Sequence, residues 1–487
     1  MRDRFDLLVV GGGVNGVGIA RDAAGRGLRV VLVESQDLAS ATSSASSKLV
    51  HGGLRYLEQY EFRLVRESLI EREVLLKAAP HIIWPLRFVL PHHAGLRPAW
   101  MLRAGLFLYD HLGPRERLPA ARGLDLSEAV EGAPLKASYR RGFAYSDCWV
   151  EDSRLAALVA RDAADRSADI RPRTRLVSAT RGDEVWTAQL EGAQGGAIEA
   201  RAIVNAAGPW VGDVLRSAGS PRANKTPRLV KGSHIVVPKL YEGPQAYTFQ
   251  AKDGRVVFAI PYEGAFTLIG TTDVPYTDDP RTVRISDEEN VYLCGVASEY
   301  FERPVSPGDV VWTYSGVRPL YDDGEADASA VTRDYVFDLE GARGEAILLS
   351  VYGGKLTTFR KLAEHALADL AKVMDIPDRP WTAPAALPGG DFPDGDFEAF
   401  CAATQARRPR LPAPLLRRLA RAYGTRMDMI AAEDSRDLGG GLTEAEVDYL
   451  SACEWARTAE DVLWRRSKLG LHLDPEAQAR VRTYLGA

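Results

Sequence analysis

Cysteine is scarce in this chain: Cys148, Cys294, Cys401 and Cys453 are the only four in 487 residues. They are scattered, with no Cys-x-x-Cys pair and no Cys/His cluster at zinc spacing. That excludes a disulfide-built scaffold and a zinc site. The expectation is four reduced, buried thiols in a reducing compartment, and no bound metal. Long apolar runs are missing as well. No stretch approaches the roughly 20 residues that span a bilayer, and the start, Met-Arg-Asp-Arg, lacks the apolar core of a signal peptide. The expected location is the cytosol or a membrane surface. Positive charge is not in excess either. The formal net charge is -5, and the arginines of the C-terminal part alternate with acids like a solvated helical surface. Nothing there favours nucleic acid as a partner. No internal repeat is evident.

What is present begins at the first residues. A chain of 487 residues is too long for one compact core and suggests two or three domains. Residues 5–10 are a short apolar run suited to a buried parallel strand. The turn Gly11-Gly12-Gly13-Val14-Asn15-Gly16 follows, and 17–24 reads as a helix stopped by Gly25-Arg26-Gly27. Residues 29–33 form a second apolar strand that ends at Glu34.

A lone Gly-x-Gly-x-x-Gly is weak, but here it follows a strand, opens a helix and has an acid about 20 residues on. Gly11 permits the tight turn, Gly13 lets backbone N–H groups approach a pyrophosphate, and Gly16 lets the helix pack on the strand. The helix N-terminus adds partial positive charge. Glu34 is placed to accept hydrogen bonds from a ribose, which points to NAD or FAD rather than NADP.

Two later stretches favour FAD. One is a returning strand at 202–206 that ends in Ala207-Gly208-Pro209-Trp210. The other is Gly353-Gly354-Lys355-Leu356-Thr357-Thr358, which opens a long helix and aims its N-terminus at the flavin edge that gains negative charge on reduction. Earlier in the chain, 61–79 and 152–166 read as helices and 171–190 as strands. Residues 80–141, rich in Pro, Trp and His, resist assignment. Residues 377–393, rich in Pro and Gly, read as a linker before a mostly helical end.

The motifs GGGVNG at 11–16, TSSASSKLVHGGLRY at 42–56, KGSH at 231–234, GTTD at 270–273, SGVRPL at 315–320, TRDY at 332–335 and GGKLTT at 353–358 together resemble the FAD-dependent glycerol-3-phosphate dehydrogenases. The run Trp464-Arg465-Arg466-Ser467-Lys468-Leu469-Gly470 resembles that family's C-terminal helical domain. The resemblance implies an α/β fold: a Rossmann-like FAD-binding domain of the amino-acid-oxidase and glutathione-reductase type, a mixed-sheet substrate domain and a helical C-terminal domain. Applied to this chain, the FAD domain is discontinuous over 1–90, 150–225 and 315–376. The substrate domain spans 91–149 and 226–314, and the helical domain 390–487. The implied reaction is oxidation of glycerol 3-phosphate to dihydroxyacetone phosphate, with electrons passed through FAD to a membrane quinone. The implied setting is the cytoplasmic face of the membrane, as a monotopic homodimer.

For the cofactor the expected residues are Gly11, Gly13, Asn15, Gly16, Glu34, Thr42, Ser43, Ser47, Lys48, Ala207, Gly208, Gly354, Lys355, Leu356 and Thr357. A phosphate monoester carries about two negative charges and calls for converging cations, preferably arginine forks. Arg55, Arg318, Arg333 and Lys355 sit in glycine- or proline-punctuated motifs, and Tyr56 with Thr271 or Thr272 adds hydroxyls. Oxidation of the secondary alcohol removes a hydride from C2 and a proton from its hydroxyl. The hydride chemistry belongs to the cofactor, and the protein must bind, orient and accept the proton. His51 and His234 are the base candidates, with His51 favoured for its glycine-flanked loop. Arg318 is placed to stabilise the developing alkoxide.

Alternatives stay open. Glycerol-3-phosphate oxidase, with oxygen as acceptor, has nearly the same site. An amino-acid or sarcosine-type oxidase calls for fewer cations, and a non-catalytic flavoprotein needs neither histidine. Residues 97–111, with Trp100, Met101, Leu106, Phe107, Leu108 and Tyr109 beside Arg97 and Arg103, read equally as an interfacial amphipathic helix or a core helix.

Overall fold

The computed structural model describes residues 3–321, 334–431 and 434–486. Its first sheet grows from the chain's opening strand. Asp3–Val10 pairs in parallel with Val30–Glu34 on one side and Gly196–Asn205 on the other. Asp169–Pro172 extends the sheet beyond Val30–Glu34, and Ile347–Tyr352 extends it beyond Gly196–Asn205. Antiparallel Val336–Glu340 closes that edge. The opening strand is therefore a switch point, with consecutive strands leaving it in opposite directions. Ligands in such sheets sit beyond the carboxyl ends of the strands at that point.

The four central strands are apolar on both faces because both are covered. On one face α1 (Val14–Gly25) packs among buried residues that also come from α4 (Asp152–Asp165) and α7 (Phe359–Ala371). On the other lie the hairpin Thr174–Arg181 and Trp186–Gly192 and the short α5 (Val211–Ser217). Leu7, Leu8, Val9, Val31, Leu32, Ile203, Val204 and Leu349 are fully buried, each contributing about 1.5–3 kcal/mol of transfer free energy.

Among the described residues the second sheet has ten strands and is mostly antiparallel. Its long members are Ile83–His92, Arg141–Val150, Arg228–Pro238, Val256–Tyr262 and Trp312–Leu320. Helix α6 (Asp287–Tyr300) covers one face, and α2 (Phe62–Ala78) with α3 (Ala99–His111) contributes to the core on the other. The segments 1–90 and 315–376, expected to form the flavin domain, feed both sheets: Leu49–Val50, Ile83–His92 and Trp312–Leu320 all belong to the second. A separate core holds the C-terminal helices α8 (Phe397–Arg407), α9 (Ala413–Tyr423), α10 (Glu444–Cys453) and α11 (Pro475–Tyr484).

Two sequence expectations change here. Residues 377–393 are a packed strap rather than a loose linker. Trp381 lies against Gly25, where a Cβ would come within 2.1 Å of its ring, and its Nε1 donates to Asp22 O. Leu387 N donates to Ala78 O at 2.8 Å. The thiols are also less uniform than expected: Cys148 and Cys294 are buried, whereas Cys401 and Cys453 are half-buried.

Candidate active site

The carboxyl ends of the central strands and one face of the second sheet enclose a cavity of about 1380 Å³. That exceeds the roughly 300–1,000 Å³ of ordinary ligand pockets and leaves room for a dinucleotide together with a small substrate. Val10, Gly11, Glu34, Ala206, Gly208, Gly353 and Gly354 line its first wall.

The glycine turn is built by close approach. At Gly11, with φ +117°, a Cβ would lie 2.5 Å from Ala206 O. Gly16 does not itself line the cavity; a Cβ there would lie 2.0 Å from Gly11 O, so its role is to let α1 close on the turn. Ser43 Oγ accepts the Val14 N–H at 2.9 Å and ties the serine loop to the start of α1. Glu34 accepts the Gly12 N–H at 2.7 Å and the Gln36 N–H at 2.8 Å. Burial pushes its carboxyl above the usual range. Asn15 Nδ2 donates to Gly353 O at 3.2 Å, joining the two glycine motifs across the sheet. Its Oδ1 is buried with no hydrogen-bond partner among the described residues, and Asn15 lines the cavity.

The rest of the lining carries most of the charged side chains. His51, Arg55, Tyr56, His234, Thr271, Arg318 and Lys355 all belong to it. His51 is held through its backbone, whose N–H donates to Thr357 Oγ1 at 3.2 Å, and its ring meets Phe258 edge-on at 6.5 Å. Gly53, left-handed at φ +76°, starts the 3-10 turn Leu54–Gln59 that carries Arg55 and Tyr56. Lys355 Nζ sits 3.7 Å from the Tyr56 ring centroid, a cation–π contact that fixes the ammonium without neutralising it. Arg318 Nη1 donates to Asp273 Oδ1 at 2.7 Å and Nη2 to Thr271 Oγ1 at 3.3 Å.

His234 is 2% exposed, stacks on Tyr314 at 4.7 Å, and its Nε2 lies 2.9 Å from Ser47 Oγ. Burial, then Arg318 and Lys48, hold it well below the ordinary histidine value. It is therefore neutral across the physiological range.

Most of the expected residues meet in this one chamber: Gly13, Thr42, Ser43, Ser47, Ala207, Gly208, Leu356 and Thr357 line it too. Lys48 does not. Its φ of +58° and full burial send the ammonium to Asp152 Oδ1 at 2.7 Å, because a charge removed from water requires a partner. Thr272 is likewise committed, donating to Glu289 Oε1 at 2.6 Å, which leaves Thr271 as the threonine beside Arg318. Arg333 lies outside the described residues. Sequence reasoning missed Asp273, the carboxylate that aims Arg318, although GTTD had been singled out. It also missed Glu289, which pairs with Lys231 at 2.7 Å and caps α6 with Ser286; the Ser-x-x-Glu spacing was its signal. Trp464, Arg465 and Lys468 of the C-terminal part line the cavity as well.

These residues fit FAD. The glycine turn, the orphaned Asn15 oxygen, the carboxylate at the end of the second strand and the Gly353–Gly354 entry to α7 form one continuous wall. A dinucleotide with a second ring system needs such a wall from both motifs.

Comparison with known proteins agrees. Residues 6–360 match the family described as FAD dependent oxidoreductase, and residues 381–483 match the C-terminal domain of alpha-glycerophosphate oxidase. A glycerol-3-phosphate dehydrogenase of Pseudomonas aeruginosa is 54% identical over 99% of this chain and 95% of its own. A D-erythritol 1-phosphate dehydrogenase of Brucella abortus is 52% identical over 97% and 96%. Among solved structures, the glycerol-3-phosphate dehydrogenase from Bacillus halodurans complexed with FAD superposes with a TM-score of 0.75 at 26% identity, covering 99% of this chain and 94% of that one.

Proposed function

This chain belongs to the FAD-dependent glycerol-3-phosphate dehydrogenase family, and on that premise we propose that it oxidises sn-glycerol 3-phosphate to dihydroxyacetone phosphate and delivers the electrons to a membrane quinone. The observation that carries the reading is the gathering of Arg55, Lys355, Arg318 and Thr271 in one chamber with the glycine wall and His51. Such a cation set suits a phosphate monoester and exceeds what a carboxylate substrate needs. When bound, FAD supplies the acceptor for the two electrons that leave C2. The chain's own groups do the rest. Arg55 and Lys355 hold the phosphate, with the Tyr56 ring fixing the ammonium. Arg318, aimed by Asp273, stabilises the negative charge that grows on the alcohol oxygen. His51 accepts the hydroxyl proton, and the half-buried chamber limits access of water. His234, held neutral by burial, acts as a support for Ser47 and the serine loop.

An anaerobic titration of the purified protein tests this. Bleaching of the flavin bands by glycerol 3-phosphate, reversed by a soluble quinone analogue, is the expected result. A loaded flavin that does not bleach would remove this substrate. Bleaching reversed only by oxygen would move the acceptor to oxygen. The Brucella relative motivates a second reading, a four-carbon alditol phosphate, and the same titration with D-erythritol 1-phosphate ranks the two by rate.

The membrane part of the proposal rests on α3. No helix among the described residues is long and apolar enough to cross a membrane. Helix α3 instead leaves Trp100 and Phe107 70% and 65% exposed, while its partly exposed Met101 and Leu108, like the exposed Tyr60 and Phe62, line the cavity. An apolar rim of this kind suits a bilayer surface.

A further inference from the structure

The run 464–468 brings two arginines of the C-terminal part to the back of the cofactor cavity, and neither ends in solvent. Arg466 grips Asp37 with both arms of its fork, Nη1 to Oδ2 and Nη2 to Oδ1, each at 2.7 Å. Arg465 Nε reaches the same Oδ2 at 2.6 Å. Asp37 is 2% exposed and Arg466 1%. Arg466 is itself steadied by Glu454 O, to which its Nε and Nη2 donate at 3.1 and 2.6 Å. Asp461, at the head of the same turn, takes the N–H groups of Arg457 and Thr458 and a fork nitrogen of Arg173 at 2.5 Å. Arg173 in turn donates its backbone N–H to Gln36 O at 2.7 Å.

Asp37 closes the turn that begins at Glu34. From the other side Glu34 is pinned by the Gly12 and Gln36 N–H groups. Residues 34–37 are thus held between the glycine loop and the C-terminal arginines. Glu34, Ser35, Gln36, Thr174 and Arg175 line the cavity here, where a dinucleotide's adenosine end belongs. A planar fork on a carboxylate fixes orientation as well as distance, and burial protects the pair from screening by salt.

We propose that the C-terminal helical part is a working element of the cofactor site: Arg465 and Arg466, acting through Asp37, are positioning residues for the adenosine-side turn and set how tightly FAD is retained. The inference needs only FAD in this cavity and does not depend on which alcohol is oxidised.

The test uses the full-length protein. FAD is titrated into the stripped protein and its fluorescence followed, and melting temperatures are recorded with and without FAD. Arg466→Gln is expected to raise the FAD Kd at least tenfold and to narrow the gap between the two melting temperatures. Arg466→Lys, which keeps the charge, is expected to recover part of the affinity. An unchanged Kd, with both melting temperatures falling together, would reduce the arginines to glue between domains and overturn the proposal. Should Arg466→Gln fail to fold, Arg465→Gln carries the test, because its side chain is 20% exposed. A several-fold rise in Kd is then expected, and none overturns the idea. Arg465 also lines the cavity, so Asp37→Asn combined with Arg465→Gln separates the routes. Effects that fail to add support action through Asp37, whereas additive effects mean that Arg465 acts apart from Asp37, through Asp461, with which it also pairs, or through the cavity it lines, and overturn the role given to Asp37.

Discussion

Along the ends of the first sheet the cavity wall is largely backbone, with the side chains of Asn15 and Glu34 set into it. Gly11, Gly13, Gly208 and Gly354 line it, and their work is to leave room and to present N–H groups. Across the chamber the wall is side chain: His51, Arg55, Thr271, Arg318 and Lys355. The first is closed by backbone approach at Gly11 and Gly354, where an added Cβ would come within 2.5 and 2.7 Å of a neighbour, and the other depends on placed charge, so the two are expected to fail differently. Damage to the first empties the cavity. Damage to the second leaves it loaded and slow.

The hardest break is Gly16→Ala. The new Cβ lies 2.0 Å from Gly11 O, and the atom that must yield belongs to the backbone of the turn itself. The variant is expected to purify without flavin, read as absorbance near ~450 nm per protein, a generic flavin property. A fully loaded Gly16→Ala protein would mean that the turn opens easily and that the first wall is not the rigid one.

Next in size is His51→Gln, expected to lower kcat/KM by about 10²–10⁴-fold, the usual contribution of a positioned base, with flavin content unchanged. The pH profile sharpens the contrast with His234. A base must be unprotonated, so the rate falls as pH falls through its pKa. His234 is held neutral to well below 6.5 by burial, Arg318 and Lys48 and contributes no limb near neutrality. His234→Asn should leave the pH profile near neutrality unchanged. Full activity in His51→Gln together with a large loss in His234→Asn would hand the base to His234.

The two walls were unequally legible. The first follows from local spacing: three glycines after a strand, an acid at the end of the next, a second glycine pair before a helix. The second could be assembled only as motifs, because what fixes each side chain lies far along the chain. Asp273 is 45 residues from Arg318, and Asp152 is 104 residues from Lys48. Nothing local revealed that Lys48 would be spent on a buried pair. Residues 80–141 resisted assignment for a related reason. Pro85 and Pro91 sit inside the strand Ile83–His92, and proline demotes a strand read from sequence alone, although this one pairs along its whole length with Arg141–Val150. The strap at 377–393 looked loose because its anchors, Gly25 and Ala78, belong to helices hundreds of residues earlier.

Arg318→Met is expected to fall between the base and the surface in effect. It removes a charge-assisted contact of about 1.5–3 kcal/mol, roughly one to two powers of ten in kcat/KM. Arg318→Lys should recover little, since one ammonium cannot serve Asp273 and Thr271 in the fork geometry. Steady-state kinetics with glycerol 3-phosphate at fixed quinone analogue measures both. Full recovery by lysine would show that charge alone, not the fork, is what this wall supplies.

The smallest effect on stability is expected on the outer face of α3, whose Met101, Leu102 and Leu108 line the cavity while Trp100 and Phe107 do not. Its Leu106 and Tyr109 are buried, and Tyr109 OH donates to Asp147 at 2.7 Å, so that side is core. Trp100 and Phe107 are exposed, so the core reading describes the buried side and the interfacial reading concerns the exposed one, which the following variant tests. Replacing the outward pair, Trp100→Ser with Phe107→Ser, removes no core contact and should shift stability by no more than about 0.5 kcal/mol. Turnover with a soluble quinone should be unchanged, because the cavity is untouched. Co-sedimentation with anionic lipid vesicles should fall sharply. If it does not, the exposed face of α3 is not where the protein meets lipid, and the rim of the side-chain wall must be reached by quinone in some other way.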